Sequence, residues 1–153
     1  MDAHPELLDG KIEKPLTDVK VAPYYGCHIL RPQEIMNYED GKHPQSFERL
    51  DKKLGAECVE FSAKRKCCGF HAQLAAENYG GNCRQRRKLL ATPCPLCQMQ
   101  LDLYEPGGRE AVYSRVELPI LHLQQLVGFA LGISKEDVSF DRHVSGRNKL
   151  NIA

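Results

Sequence analysis

Leu89-Leu-Ala-Thr-Pro-Cys-Pro-Leu-Cys97 passes from strand to helix within a few residues and places a cysteine on each side of the passage. Leu89 to Thr92 predicts a short apolar strand. Pro93-Cys94-Pro95 breaks it. Pro95 then suits the first position of a helix running from about Leu96 to Tyr104, because its missing N–H has no intrahelical partner there. Cys94 falls near the N-cap. An apolar strand that yields to a helix at a chemically active turn is the repeating unit of an α/β sheet, whose ligands gather beyond the carboxyl ends of the strands.

The same order occurs twice upstream. Val19, Val21 and Ala22 predict a strand ending at Pro23, and Tyr24-Tyr25-Gly26-Cys27 follows as the turn. A second strand, about Glu57 to Phe61, leads through Ser62 to Lys66 into Cys67-Cys68-Gly69. Leu118-Pro119-Ile120-Leu121 is a candidate fourth strand that feeds an apolar helix, Leu123 to Leu131, stopped by Gly132. Between the strands, Ser46 is placed to cap a helix with Phe47, Leu50 and Leu54 on one face and Gly55 at its end. Phe70 and Leu74 give helical spacing over 70–79 before Gly80-Gly81, and Pro106-Gly107-Gly108 predicts a turn. The expected fold is α/β: a Rossmann-like layered fold with a small, mostly parallel sheet and a cluster site at the C-terminal edge of its strands. Residues 1–17 read as a flexible lead-in, 18–144 as a single cysteine-rich domain, and 145–153 as a polar tail.

A chain of 153 residues with 42% hydrophobic content can bury one core without disulfide staples, and its formal charge of +1 gives no overall case for nucleic acid or an anionic membrane. No apolar run approaches the roughly eighteen residues of a membrane span, and the start MDAHPELLDG lacks signal-peptide character. The expected location is therefore cytoplasmic. In a reducing compartment, cysteines grouped as CC and CxxC are metal ligands or redox groups more often than structural disulfides.

Five of the seven cysteines, Cys27, Cys67, Cys68, Cys94 and Cys97, share the expected sheet edge. Thiolates select zinc, copper(I) or iron–sulfur clusters. One zinc takes four ligands, as does an ordinary iron–sulfur cluster, so a fifth thiol is surplus to either. Three alternatives stay open on the residues: a multi-iron cluster on all five, a structural zinc on four, or a redox pair of Cys94 and Cys97 whose thiolate the helix N-terminus would stabilise. Cys58, inside a strand, and Cys83, in a basic loop, read as bystanders. His28 and His71 stand close in sequence to motif cysteines and are candidate proton donors to a departing thiolate, with surface or packing roles as the bland alternative. His122, between two leucines, reads as structural. Tyr24 and Tyr25 are placed to shield a cluster from water. Lys64-Arg65-Lys66 and the basic run from Arg84 to Lys88 are solvated faces, docking surfaces or cations that favour a reduced cluster.

Val21-Ala-Pro-Tyr-Tyr-Gly-Cys27, Cys67-Cys-Gly69 and Thr92-Pro-Cys-Pro-Leu-Cys97 together resemble the cysteine-rich CCG domain of the heterodisulfide reductase B subunit, most nearly its C-terminal half. The segment Pro119 to Gly132 and Asp141-Arg-His143 look similar too. The resemblance implies a noncubane [4Fe-4S] cluster held by Cys27, Cys67, Cys68, Cys94 and Cys97. It also implies an oxidoreductase component that reduces the CoM-S-S-CoB heterodisulfide or a related sulfur substrate. The implied partners are the other heterodisulfide reductase-type subunits, one carrying flavin and one ferredoxin-like, and a second CCG domain. The stretch between Gly69 and Cys94 is about ten residues shorter than is usual in that family. A zinc-bearing, non-catalytic interaction module of a redox complex, and a thiol-disulfide oxidoreductase using Cys94 and Cys97, are the competing functions.

Overall fold

Leu89, Leu90, Ala91 and Thr92 are all buried, as a strand covered on both faces must be. In the computed structural model, which describes residues 5–60, 62–69, 89–111, 117–150 and 152, they form one of four strands. The strands are β1 (Lys20–Pro23), β2 (Glu57–Cys58), β3 (Leu89–Thr92) and β4 (Ile120–His122). The helices are α1 (Gln33–Met36), α2 (Ser46–Lys53), α3 (Pro95–Ala111) and α4 (Leu123–Ala130), with 3-10 turns at Pro5–Leu8 and Phe140–Arg142. All strand pairs are parallel, in the order β2-β1-β3-β4. The register sets Val21 beside Leu89, Ala22 beside Leu90, and Thr92 beside His122. The small parallel α/β sheet expected from sequence is the one observed.

Side chains that alternate along the strands divide the interior into two cores. Val21, Leu89, Ala91 and Leu121 face one side, where Phe47 of α2 and Leu123, Leu126 and Phe129 of α4 cover them. Ala22, Leu90 and Ile120 face the other, against Leu101 of α3 and against Cys68 and Cys97. Two of the motif cysteines are thus part of a core.

Several local expectations need correcting. Ser46 is the first helical residue of α2 and not its cap, and the carboxylate of Glu39 does the capping. It accepts from the N–H groups of Gln45 and Ser46 at 2.8 and 3.0 Å, and from the Ser46 hydroxyl at 2.5 Å. A charged acceptor on a loop wins because it is stronger than a neutral hydroxyl and favourably placed at a helix N-terminus. The strand expected from Glu57 to Phe61 is only Glu57–Cys58, followed by one more bond from Val59 N–H to the Val21 carbonyl before the chain turns. Pro106 does not end α3, which runs on to Ala111. A proline in mid-helix forfeits one bond, to the carbonyl of residue i−4. Here the buried Leu101, Asp102 and Glu105 anchor the turn that leads into Pro106. Asp102 accepts from the N–H groups of Val144 and Ser145 and the Ser145 hydroxyl, and Glu105 from Leu118 N–H.

Leu16, in the expected lead-in, and Phe140 and Leu150, beyond Ser134, are buried in the first core. Leu16 N–H donates to the Leu54 carbonyl, and the N–H groups of Glu13 and Lys14 to that of Ala130. Both ends of the chain therefore contribute core residues. The helix expected over 70–79 lies outside the described residues.

Candidate cluster-binding site

The strand order β2-β1-β3-β4 reverses direction at β1, so the crevice of the sheet opens between the carboxyl ends of β1 and β3. Cys27 follows β1 and Cys94 follows β3, and the two flank that crevice. Tyr24 N–H donates to the Ala91 carbonyl at 2.8 Å, which prolongs the β1–β3 pairing into the turn. Gly26 then adopts φ +75°, and a β-carbon built on it would lie 2.8 Å from Cys97 Sγ. Only glycine takes that backbone conformation freely, and only glycine lets the sulfur approach.

The Cys67–Cys68 loop is brought in by the two tyrosines. Tyr25 N–H donates to the Lys64 carbonyl at 2.9 Å, and the Tyr24 hydroxyl to the Lys66 carbonyl at 2.8 Å. The turn before Cys67 is thereby clamped to the end of β1. The two rings diverge beyond it: Tyr24 lies in the cysteine-bearing core and Tyr25 in the other, where its hydroxyl donates to Glu48 at 2.6 Å. Of the two tyrosines, only Tyr24 lies on the cysteine side of the sheet.

On β3, Cys94 N–H lies 3.3 Å from the Thr92 hydroxyl, and the Cys94 carbonyl accepts from Gln98 N–H at 2.9 Å. Cys94 thus stands at the threshold of α3, as expected, and Cys97 in its first turn, where the unpaired N–H groups favour negative charge. His122 stabilises this end. Its Nδ1 accepts from Gln124 N–H, its Nε2 lies 3.1 Å from the Pro93 carbonyl, and its backbone N–H donates to Gln125 Oε1 in a capping box at the start of α4. Its role is structural. Behind it the buried His143 lies 3.6 Å from Asp102 and 3.0 Å from Gln125 Nε2. Burial alone would raise the Asp102 carboxyl, but hydrogen bonds from His143, Ser145 and Val144 hold it below the usual range.

All five motif thiols meet at this edge. Cys27 is raised by burial and then by hydrogen bonding to Cys67, with Cys68 also in range. Cys97 is pushed far up by burial and then by Cys68 and Cys94, to both of which it hydrogen-bonds. The hydroxyl of Tyr24 is raised by burial and then by the charges of Cys97, Cys68, Cys67 and Cys27, and its ring shares a core with Cys68 and Cys97. Cys68 and Cys97 are buried, Cys27 and Cys94 half-buried and Cys67 exposed, and thiols gathered in this way form a donor set for a soft cation, which binds the thiolate form. Among the described residues, no three His, Cys, Asp or Glu side chains converge on a point fit for one metal ion. The donor set, five soft sulfurs at one sheet edge, is of the kind that holds an iron–sulfur group.

The remaining candidates separate. Cys58 is half-buried in β2, and its thiol is pushed up to about 12 by burial and then by Asp51, Glu48 and Glu60. His28 is exposed beside Cys27. His71 and Cys83 lie outside the described residues. Lys64 does not attend the thiols, because Glu48 and Glu60 hold its ammonium at 2.6 and 2.7 Å. The sequence pattern holds Gly26 only as a turn residue and gives it no role at the site. Its place between a strand end and a ligand-type cysteine was the available signal.

A model of the cysteine-rich CCG domain matches residues 21–102. The chain belongs to the CCG cysteine-rich domain family. Similar proteins include the 8-methylmenaquinol:fumarate reductase membrane anchor subunit of Wolinella succinogenes, 41% identical over 95% of this chain and 54% of that protein. The B subunit of the ferredoxin:CoB-CoM heterodisulfide reductase of Methanosarcina mazei is 29% identical over 91% of this chain and 50% of its own length. The B subunit of the ferredoxin/F(420)H(2)-dependent CoB-CoM heterodisulfide reductase of Methanosarcina acetivorans is 30% identical over the same shares. The resemblance to the heterodisulfide reductase B subunit stands. This CCG chain spans about half the length of the curated relatives it matches. Among its described residues no helix is long and apolar enough to cross a membrane.

Proposed function

We propose that the chain is an iron–sulfur electron-transfer domain of a multi-subunit redox complex, with Cys27, Cys67, Cys68, Cys94 and Cys97 holding a noncubane [4Fe-4S] cluster. The observation that carries this is the meeting of five thiols at the β1–β3 crevice, one more than zinc or an ordinary cluster uses. Such a group, when bound, supplies one-electron chemistry. The residues around it do the rest: Gly26 leaves room for the Cys97 sulfur, Tyr24 ties down the Cys67–Cys68 loop and excludes water, and the first turn of α3 offsets negative charge.

By similarity to the B subunits of the heterodisulfide reductases, the substrate is a small-molecule disulfide such as CoM-S-S-CoB, and the partners are a flavin-carrying protein, a ferredoxin-like protein and a second CCG domain. A disulfide takes two electrons and two protons to become two thiols. His28, exposed next to Cys27, and His71, near Cys68 in sequence, are the proposed proton donors. A second reading, favoured by 41% identity to a membrane anchor protein of a fumarate reductase, is electron passage within a quinol:fumarate type of complex.

Anaerobic reconstitution with iron and sulfide should give about four irons and four sulfides per chain, with broad absorbance near 400 nm. A colourless protein with one tightly bound zinc would sink the proposal. Reduced-viologen assays of the isolated complex separate the substrates: oxidation by CoM-S-S-CoB supports the first, and oxidation by fumarate alone supports the second.

A further inference from the structure

A cavity of about 540 Å³ opens beside α2, away from the thiols, and Lys42, Arg49, Lys52, Lys64 and Arg65 line it. That volume is in the range of small-molecule sites. Five Lys or Arg side chains around one cavity stand out in a chain whose formal charge is only +1.

The carboxylates lining it, Glu48 and Glu60, are already engaged. Both hold the Lys64 ammonium, and Glu48 also accepts from the Tyr25 hydroxyl at 2.6 Å. Among the described residues, Lys42 and Lys52 are exposed and their ammonium groups have no ion-pair partner. Arg65 donates to the Lys42 carbonyl, and the Arg65 carbonyl accepts from Arg31 at 3.4 Å, so the wall is built into the backbone of the loop. Cations held together repel one another, and a bound anion would turn that repulsion into attraction. Arginine forks suit planar carboxylate or tetrahedral phosphate groups.

We propose that this cavity is a site for a small organic anion bearing two or more carboxylate or phosphate groups, separate from the cysteine site. Its occupant would touch Lys64 and Arg65, which belong to the turn leading into Cys67 and Cys68. The proposal stands apart from the redox reading, because binding needs no cluster.

Isothermal titration of the full chain at low ionic strength with pyrophosphate, and separately with citrate, tests it. Saturable binding of either probe at about one per chain is expected, and whichever binds tells phosphate from carboxylate chemistry. The exposed-surface double variant K42Q/K52Q should weaken binding about tenfold or more, with each single variant intermediate. K11Q/K14Q, which removes the same charge from exposed lysines outside the cavity, should stay within about twofold of the parent protein. Absence of saturable binding for both probes would overturn the proposal, as would equal weakening in the two double variants.

Discussion

Gly26 concentrates two constraints in one residue, a left-handed backbone and a sulfur 2.8 Å from where a β-carbon would stand. Gly26→Ala should therefore lower stability by about 1–3 kcal/mol in denaturant unfolding, the sum of a strained φ and a displaced Cys97. It should also lower iron uptake on reconstitution, and unchanged iron content would contradict the role given to this position. Asp51 of α2 is fully buried with both carboxyl oxygens unpartnered among the described residues, and burial, then Glu48, pushes it up to about 8. Glu48 and the Cys58 thiol are the titratable groups coupled to it. Because its folded value lies above the unfolded 3.8, the native state holds the proton longer, and stability falls as pH rises from about 4 to about 8. Asp51→Asn removes that titration. Its stability relative to the parent should improve across this window by about 2–4 kcal/mol, measured by chemical unfolding at several pH values, and parallel curves would refute it.

At the scale of elements, the site depends on a clamp between the end of β1 and the turn before Cys67. Tyr24→Phe deletes the hydroxyl bond to the Lys66 carbonyl while keeping the ring, so it should cost about 1–2 kcal/mol. Faster loss of iron to a chelator should accompany it if the clamp holds the Cys67–Cys68 loop. The strands of this region were legible because β1 and β3 are short, mostly apolar runs with a proline at or just past their ends, as suits central parallel strands. Helix ends were less so. The cap of α2 comes from Glu39, which no local spacing around Ser46 could indicate, and α3 passes through Pro106 because long-range bonds to Asp102 and Glu105 outweigh one lost backbone bond.

Across the whole molecule, five cysteines from three segments meet at one edge of the sheet, and the cluster proposal makes all five necessary. Changing each in turn to serine should cut reconstituted iron sharply at Cys27, Cys67, Cys68, Cys94 and Cys97, while Cys58→Ser leaves it unchanged, as read by iron assay and absorbance. Full retention at one of the five would point instead to a four-thiol site. The chain spans about half the length of the relatives it matches. The sequence by itself determined the parallel α/β class and the shared edge of the cysteines, because hydrophobic period and proline breaks are local signals. Only the tertiary structure decided that Gly26 makes room for Cys97, that Tyr24 and not Tyr25 borders the thiols, and that Lys64 serves two carboxylates. Those choices depend on which face of the sheet each side chain enters and on what arrives there from distant segments, and no local pattern carries that information.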